Sequence, residues 1–106
     1  GTAKYVSHVK APVVYNDPAL CERVLAAQRK VVGADYVQMT NAECGSEDFA
    51  FYQAKKPGVF FRLGVRNAAK GCTTFVHNND FMLDEDTLPL GAKTSVQLVL
   101  DCMHGV

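Results

Sequence analysis

Apolar residues recur at helical spacing in residues 16–33 of the chain. The positions that form one face, four, three and four residues apart, are Leu20, Val24, Ala27 and Val31. Asp17 suits the N-cap and Pro18 the first helical position, and Gly33 suits the C-terminal end. The pattern therefore predicts a helix with well-defined ends.

A second long helical pattern covers residues 83–105. Acidic residues crowd its start, and Pro89 is tolerated only near a first turn, so the regular helix is predicted to start around Asp86. Gly105 suits its end. The predicted buried stripe consists of Leu88, Ala92, Val96, Val99 and Met103.

Residues 44–58 predict a shorter helix between these two. Ser46 is its predicted cap, and Glu47 and Asp48 fall in the first turn, where negative charge complements the helix dipole. The free N–H groups of such a helix favour an anion, such as a substrate carboxylate. The same residues also fit an ordinary capped helix that binds no anion, and composition alone favours that interpretation.

The remaining apolar runs predict strands. They are residues 3–16, 35–40, 59–65 and 72–76, rich in valine, tyrosine, phenylalanine and threonine. Pro12 makes the first an edge strand or a strand leading into a connector. The order is strand, helix, strand, helix, strand, extended segment, helix. This alternation predicts an α/β fold, a layered sheet with flanking helices.

The charge composition argues against two classes of binding partner. The chain has 106 residues, enough for one domain, and its formal net charge is zero. No basic excess exists to attract nucleic acid or an anionic membrane, so we expect neither partner. No apolar run approaches the ~18 residues that span a bilayer, and the first residues lack the apolar core of a signal peptide.

The four cysteines form no C-x-x-C pair, so a zinc ribbon or a thioredoxin-like motif has no support. Two of them, Cys21 and Cys102, lie inside helical patterns, where a reduced cysteine behaves as a small apolar residue. We expect four free thiols in a reducing compartment, and therefore a cytoplasmic location.

His77 is the candidate metal ligand, because it follows the apolar run of residues 72–76. A lone histidine beside such a run is more often structural, and a closed zinc site needs about four ligands. His104 suits the C-terminal end of the last helix as a cation. His8 lies in the edge-like first strand without an obvious partner.

Five motifs occur in one order along the chain. They are APVVYNDPAL, GSEDFAFY, PGVFFRLG, HNNDF and DEDTLPLGA, which begin at residues 11, 45, 57, 77 and 84. Together they resemble the C-terminal part of the zinc-dependent amidohydrolases. That superfamily includes hippurate hydrolase, N-acyl-amino-acid and indoleacetyl-amino-acid hydrolases, and the carboxypeptidases of metallopeptidase clan MH.

The resemblance implies an organisation and a site. Residues 1–15 would be the end strand of a lid domain and a linker, and residues 16–106 the C-terminal segment of a metallopeptidase catalytic domain. His77 would be the last ligand of a site for two divalent metal ions (zinc, or manganese or cobalt). The implied substrate-pocket residues are Gly45, Ser46, Glu47 and Asp48. The implied substrate is an N-acyl amino acid or a small peptide-like amide.

The chain also departs from the family pattern. Asn79 stands where many relatives have proline. The segments that supply the other metal ligands and the glutamate base, found in the family's N-terminal half, do not occur. We therefore expect the chain alone to bind little or no metal and to hydrolyse nothing measurable. Its first expected partner is the missing N-terminal part of the same enzyme.

Three interpretations stay open on the sequence. The chain is a segment of a hydrolase, a truncated gene product that binds partners without catalysis, or a small structural α/β domain with a historical resemblance. If the chain is a segment that stands alone, the strand edges that would pair with the missing half, those of residues 59–65 above all, predict self-association into homo-oligomers or domain exchange.

Overall fold

The computed structural model describes residues 1–6 and 10–105. Within these residues it contains the helices α1 (Pro18–Val32), α2 (Phe49–Gln53) and α3 (Leu88–Met103), and short 3₁₀ turns at Ala34–Tyr36, Ala68–Lys70 and Glu85–Thr87. None of the described helices is long and apolar enough to cross a membrane.

The predicted limits of α1 are confirmed. Asp17 accepts a hydrogen bond from the backbone N–H of Leu20 at 2.9 Å, and Pro18 opens the helix. Gly33 ends it with a φ of 88°, and its N–H donates to the carbonyl of Arg29 at 3.0 Å. The predicted apolar face also points inward: Ala27 is fully buried, and the other three positions are half-buried.

The limits of α3 also agree with the sequence. A 3₁₀ turn at Glu85–Thr87 leads into the helix, and Pro89 lies in its first turn. The helix ends at Met103, and Gly105 follows it with a φ of 69°. The local signals thus predicted both ends to within about two residues.

The predicted buried stripe of α3 is wrong. All five of its residues are exposed, with Val96 at 60% and Met103 at 76% of their full accessibility. Thr94 is buried instead, and its hydroxyl donates to the carbonyl of Leu90 at 2.8 Å. The side of α3 that carries Asp101 pairs with α1, because Lys30 donates to that carboxylate at 2.8 Å.

The predicted layered sheet is not formed by the described residues. The one β-type pairing they contain is an isolated antiparallel bridge between Asn67 and Cys72. Residues 59–65 and 73–75 belong to no ladder, and the predicted strand at residues 35–40 starts in a 3₁₀ turn. The physical reason is that a strand persists only when a neighbouring strand satisfies its backbone groups, and no described segment does so here. Of the first predicted strand, residues 7–9, which include His8, lie outside the described part.

The start of α2 also differs from the prediction. The helix begins at Phe49 with Asp48 as its N-cap residue, so Ser46 does not cap it. Glu47 accepts the N–H of Phe49 through its side chain at 3.3 Å. With five residues, α2 is too short for a substantial dipole, and the anion-favouring helix start predicted at Ser46 is therefore absent from the described structure.

The buried core is small. Its apolar members among the described residues are Ala27, Ala50 and Cys72, and none of the large side chains there is fully buried. The radius of gyration is 17.3 Å, against about 13 Å for a compact domain of roughly 100 residues. The chain thus extends over 60 × 39 × 20 Å and leaves much apolar surface open.

Candidate functional site

His77 lies in a turn rather than at the end of a strand. Its φ is 67°, the one positive φ outside glycine in the described chain. The side-chain amide of Asn78 donates to the carbonyl of Phe75 at 2.9 Å, and the N–H of Phe81 donates to the carbonyl of Asn78 at 3.1 Å. Left-handed backbone costs an L-residue about 1–2 kcal/mol, and these bonds help to hold it.

The imidazole of His77 is exposed and makes no hydrogen bond or ion pair with the described residues. Nearby, the hydroxyl of Thr74 donates to Asp80 at 3.4 Å. No group of three or more His, Cys, Asp or Glu side chains that could hold a metal occurs in the described part of the chain. The described residues therefore do not fit a closed metal site, and His77 would offer one ligand where about three or four are needed.

The predicted pocket residues precede α2. Gly45, Ser46 and Asp48 are exposed, and Glu47 is half-buried. A Cβ atom placed on Gly45 would meet nothing within 4 Å, so open space surrounds this backbone. Within the described chain, no hydrogen bond or ion pair joins these residues to His77.

The loop that carries His77 is closed at its base by a polar cluster. Lys70 donates to Asp84 at 2.5 Å and also pairs with Asp86. Asn67 donates to the other oxygen of Asp84 at 2.7 Å. The described bridge between Asn67 and Cys72 lies beside these contacts. The loop of residues 71–83 therefore begins and ends beside this polar cluster, which fixes its two ends close together.

This cluster shifts the ionisation of its members. The hydrogen bonds that Lys70 donates to Asp84 and Asp86 raise the lysine pKa above its ordinary value. The hydrogen bonds that Asp84 accepts, first from Lys70 and then from Asn67, hold its pKa below the usual range of an aspartate. Sequence reasoning placed Asp84 only among the acidic residues before α3 and gave Lys70 no role, because their pairing across 14 residues leaves no local signal.

A second polar cluster fastens residues 58–60 to the start of α1. The side-chain amide of Asn16 accepts the N–H of Phe60 at 2.7 Å and donates to its carbonyl at 2.9 Å. Gln53 donates to the carbonyl of Gly58 at 3.0 Å and accepts the N–H of Tyr15 at 2.9 Å. The Asn16 side chain thus makes the two hydrogen bonds to the Phe60 backbone that a neighbouring strand would make in a sheet. The sequence marked this residue only as part of the motif APVVYNDPAL.

An apolar cavity of about 550 Å³ lies between α1, α3 and residues 37–40 and 59–64. Its lining includes Val24, Phe61 and Leu63. None of the predicted site residues lines it. The cavity is therefore distinct from the candidate metal ligand and from the loop of residues 45–48.

The comparison with known protein families agrees with the resemblance seen in the sequence motifs. A model of Peptidase family M20/M25/M40 matches residues 2–101, so the chain belongs to this family of amidohydrolases and carboxypeptidases. Members of the family are metal-dependent, generally on zinc. The expected membership is thereby confirmed, as is a metallopeptidase domain.

Curated relatives agree with this assignment. The chain is 35% identical to thermostable carboxypeptidase 2 of Saccharolobus solfataricus over 89 residues, which are 84% of this chain and 22% of that protein. It is 33% identical to IAA-amino acid hydrolase ILR1-like 6 of Arabidopsis thaliana over 76% of this chain and 18% of that protein. The chain therefore spans about a fifth of the length of these relatives. No solved structure matches it significantly.

Proposed function

We propose that the chain is the C-terminal part of a metal-dependent amidohydrolase or carboxypeptidase that cleaves the amide bond of N-acyl amino acids or small peptides. The observation that carries this proposal is the family match over residues 2–101. The names of the relatives, a carboxypeptidase and a hydrolase of an amino acid conjugate, support the substrate class. In this proposal residues 1–15 are the end strand of a lid domain and its linker, and residues 16–106 belong to the catalytic domain.

His77 is the proposed metal ligand. Its exposed imidazole and its turn, held by Asn78 and closed at the base by Lys70 and Asp84, support a fixed outward-facing ligand. The bound metal ions would supply polarisation of the amide carbonyl and an activated water. The further ligands and the general base would come from an N-terminal part of the same enzyme. The proposed pocket residues remain Gly45, Ser46, Glu47 and Asp48.

The layered α/β sheet is part of the same proposal. Residues 59–65 have an apolar sequence, and several of their backbone groups have no partner among the described residues, as expected of a strand whose neighbours lie elsewhere in the parent protein. The exposed apolar stripe of α3 likewise suits burial against further elements.

The test is made on the longer protein obtained by extending the coding sequence upstream. We expect about 300 further residues, since 89 residues are 22% of the first relative. In that protein His77→Ala should lose metal, measured by elemental analysis, and chelator-sensitive hydrolysis of hippurate. His104→Ala, a matched exposed histidine, should keep both. Full metal content and activity in His77→Ala would exclude the ligand role.

The isolated chain supplies a complementary measurement. Because the described residues offer one histidine rather than a closed site, we expect no measurable hippurate hydrolysis by the purified chain with added zinc. Robust hydrolysis that a chelator abolishes would show that the site is complete without an N-terminal part.

The second candidate is a non-catalytic α/β domain, derived from the same family, that binds a partner or serves a structural role. The exposed stripe of α3, with Val96, Val99 and Met103 open to solvent, favours a binding role. Transcript mapping separates the candidates. A true translation start near Gly1 would favour the second, and an upstream reading frame with metal-ligand histidines would favour the first.

A further inference from the structure

Gln53, the last residue of α2, is half-buried and uses both ends of its side-chain amide. Its oxygen accepts the N–H of Tyr15 at 2.9 Å, and its nitrogen donates to the carbonyl of Gly58 at 3.0 Å. The same nitrogen also donates to the side-chain oxygen of Asn16, over a longer distance of 3.4 Å. One side chain thus joins α2 to the residues just before α1 and to the segment that follows α2.

The first residue of α2 is held against the same following segment. The ring of Phe49 packs on that of Phe60, with centroids 5.6 Å apart and ring planes tilted by 39°. Gly58 permits this approach, because a Cβ atom there would lie 3.2 Å from the Phe49 ring. Both ends of α2 therefore contact residues 58–60.

Two of the proposed pocket residues depend on where α2 lies. The carbonyl of Glu47 accepts the N–H of Ala50 at 3.2 Å, and its side chain accepts the N–H of Phe49 at 3.3 Å. The carbonyl of Asp48 accepts the N–H of Phe51 at 3.0 Å. These bonds fix Glu47 and Asp48 to the first turn of α2, so a shift of the helix moves both residues with it.

We infer that Gln53 is a positioning residue for the pocket loop of residues 45–48, and that it couples this loop to residues 10–15. Among the described residues, the hydrogen bond from Tyr15 to Gln53 is the one that joins residues 10–15 to α2. The role rests on the proposed function, in which residues 1–15 lead from a lid domain and residues 45–48 line the substrate pocket. Gln53 is not itself one of those pocket residues and acts through α2.

Hydrogen bonds of this kind can set the position of so short a helix. A helix of five residues is not stable by itself, so α2 depends on its contacts with the rest of the chain. Loss of one hydrogen bond changes a conformational equilibrium by about two- to tenfold. Loss of the two shorter bonds of Gln53 should therefore make the opening of α2 about tenfold more frequent.

Amide hydrogen exchange of the chain, followed by NMR, tests this role. Gln53→Met keeps the length of the side chain and removes its hydrogen bonds. In this variant the amides of Ala50 and Phe51 should exchange about tenfold faster, and the amide of Tyr15 should lose protection with them. Gln53→Glu keeps the acceptor for Tyr15 and should lie between the wild type and Gln53→Met. Unchanged exchange at Ala50 and Phe51 would overturn the positioning role, and an unchanged Tyr15 amide would overturn the coupling.

Gln97 provides the matched control. It is a half-buried glutamine on α3 whose amide donates to Asp101 at 2.7 Å. Gln97→Met removes a comparable hydrogen bond far along the chain from α2, so it should leave the exchange at Ala50, Phe51 and Tyr15 unchanged. An equal effect of the two methionine variants would show a general loss of stability and would overturn the role of Gln53.

Kinetics of the longer protein used to test His77 separate this role from the proposed function. Gln53→Met should raise KM for hippurate about three- to tenfold, change kcat less than about twofold and keep the full metal content, because it shifts the pocket and not the metal ligands. Gln97→Met should change none of these. If the wild type hydrolyses hippurate and Gln53→Met has an unchanged KM, the role of Gln53 is wrong and the proposed function stands. If the wild type hydrolyses nothing, the proposed function fails, and the exchange measurement still decides whether Gln53 positions the loop.

Discussion

Asn16→Ala should destabilise the chain more than most substitutions at half-buried positions do. The Asn16 side chain makes two hydrogen bonds to Phe60, at 2.7 and 2.9 Å, in a half-buried position. A hydrogen bond contributes about 0.5–1.5 kcal/mol net, and leaving a buried partner unsatisfied costs about 1–3 kcal/mol. Because water can partly replace the lost amide at this depth, we expect a loss of about 2 kcal/mol in the free energy of unfolding.

Urea unfolding followed by circular dichroism measures this loss. An unchanged m-value, with a lower urea midpoint, would show that the substitution changed only the stability. Asn16→Asp keeps the acceptor for the N–H of Phe60 but loses the donor, so it should fall between the wild type and alanine. The control is Asn79→Ala, which removes an exposed amide from the turn after His77. If Asn16→Ala stays within about 0.5 kcal/mol of the wild type, the strand-like role of its side chain is refuted.

Three further outcomes follow from particular contacts. A Cβ on Gly91 would meet the end of the Leu63 side chain at 2.9 Å, so that side chain must shift. Gly91→Ala should therefore gain less of its usual ~1 kcal/mol of helix stability than the same change does in a Leu63→Ala background; equal effects in both backgrounds would contradict this contact. The lowered pKa of Asp84 stabilises the fold above the ordinary aspartate pKa of about 4, and this stability is lost as pH falls through the lower folded value. Lys70→Met should therefore flatten the acid limb of a stability–pH curve. In thiol labelling, the buried Cys72 should react more slowly than the other three cysteines, and equal rates would indicate that its site opens readily.

The helix ends were predictable because their determinants are local. Asp17 and Pro18 act within one turn, and the positive φ values at Gly33 and Gly105 are ones that glycine adopts without strain. The same reasoning failed at Ser46. Several residues there can begin a helix, and the five-residue α2 starts only after Asp48.

The face of α3 could not be predicted from periodicity. The helix has apolar residues on several sides, so its hydrophobic pattern does not single out one packing face. The position that α3 buries is instead Thr94, and its ion pair with α1 joins Asp101 to Lys30. Both features depend on the position of a second helix, which no local pattern encodes.

Strand pairing is non-local for the same reason. Residues 59–65 have the composition of a buried strand, yet their described partners are side chains and loop backbone rather than other strands. The predictions for His77 and for residues 45–48 likewise depended on motif order. Local chemistry alone could not have selected one exposed histidine, or one acidic loop, from the others in the chain.

Asp84 joins the parts that the sequence treated separately. Its N–H donates to Val65, its carboxylate accepts from Lys70, and the same carboxylate accepts the N–H of Asp86 before α3. The loop that carries His77 is therefore anchored to the segment of residues 59–65 and to α3 through one residue. The turn that carries His77 thus depends on three parts of the chain: residues 59–65, the turn at Ala68–Lys70 and the turn before α3. The surroundings of His77 therefore could not be predicted from the sequence, unlike the limits of the helices, because these contacts join residues far apart in the chain.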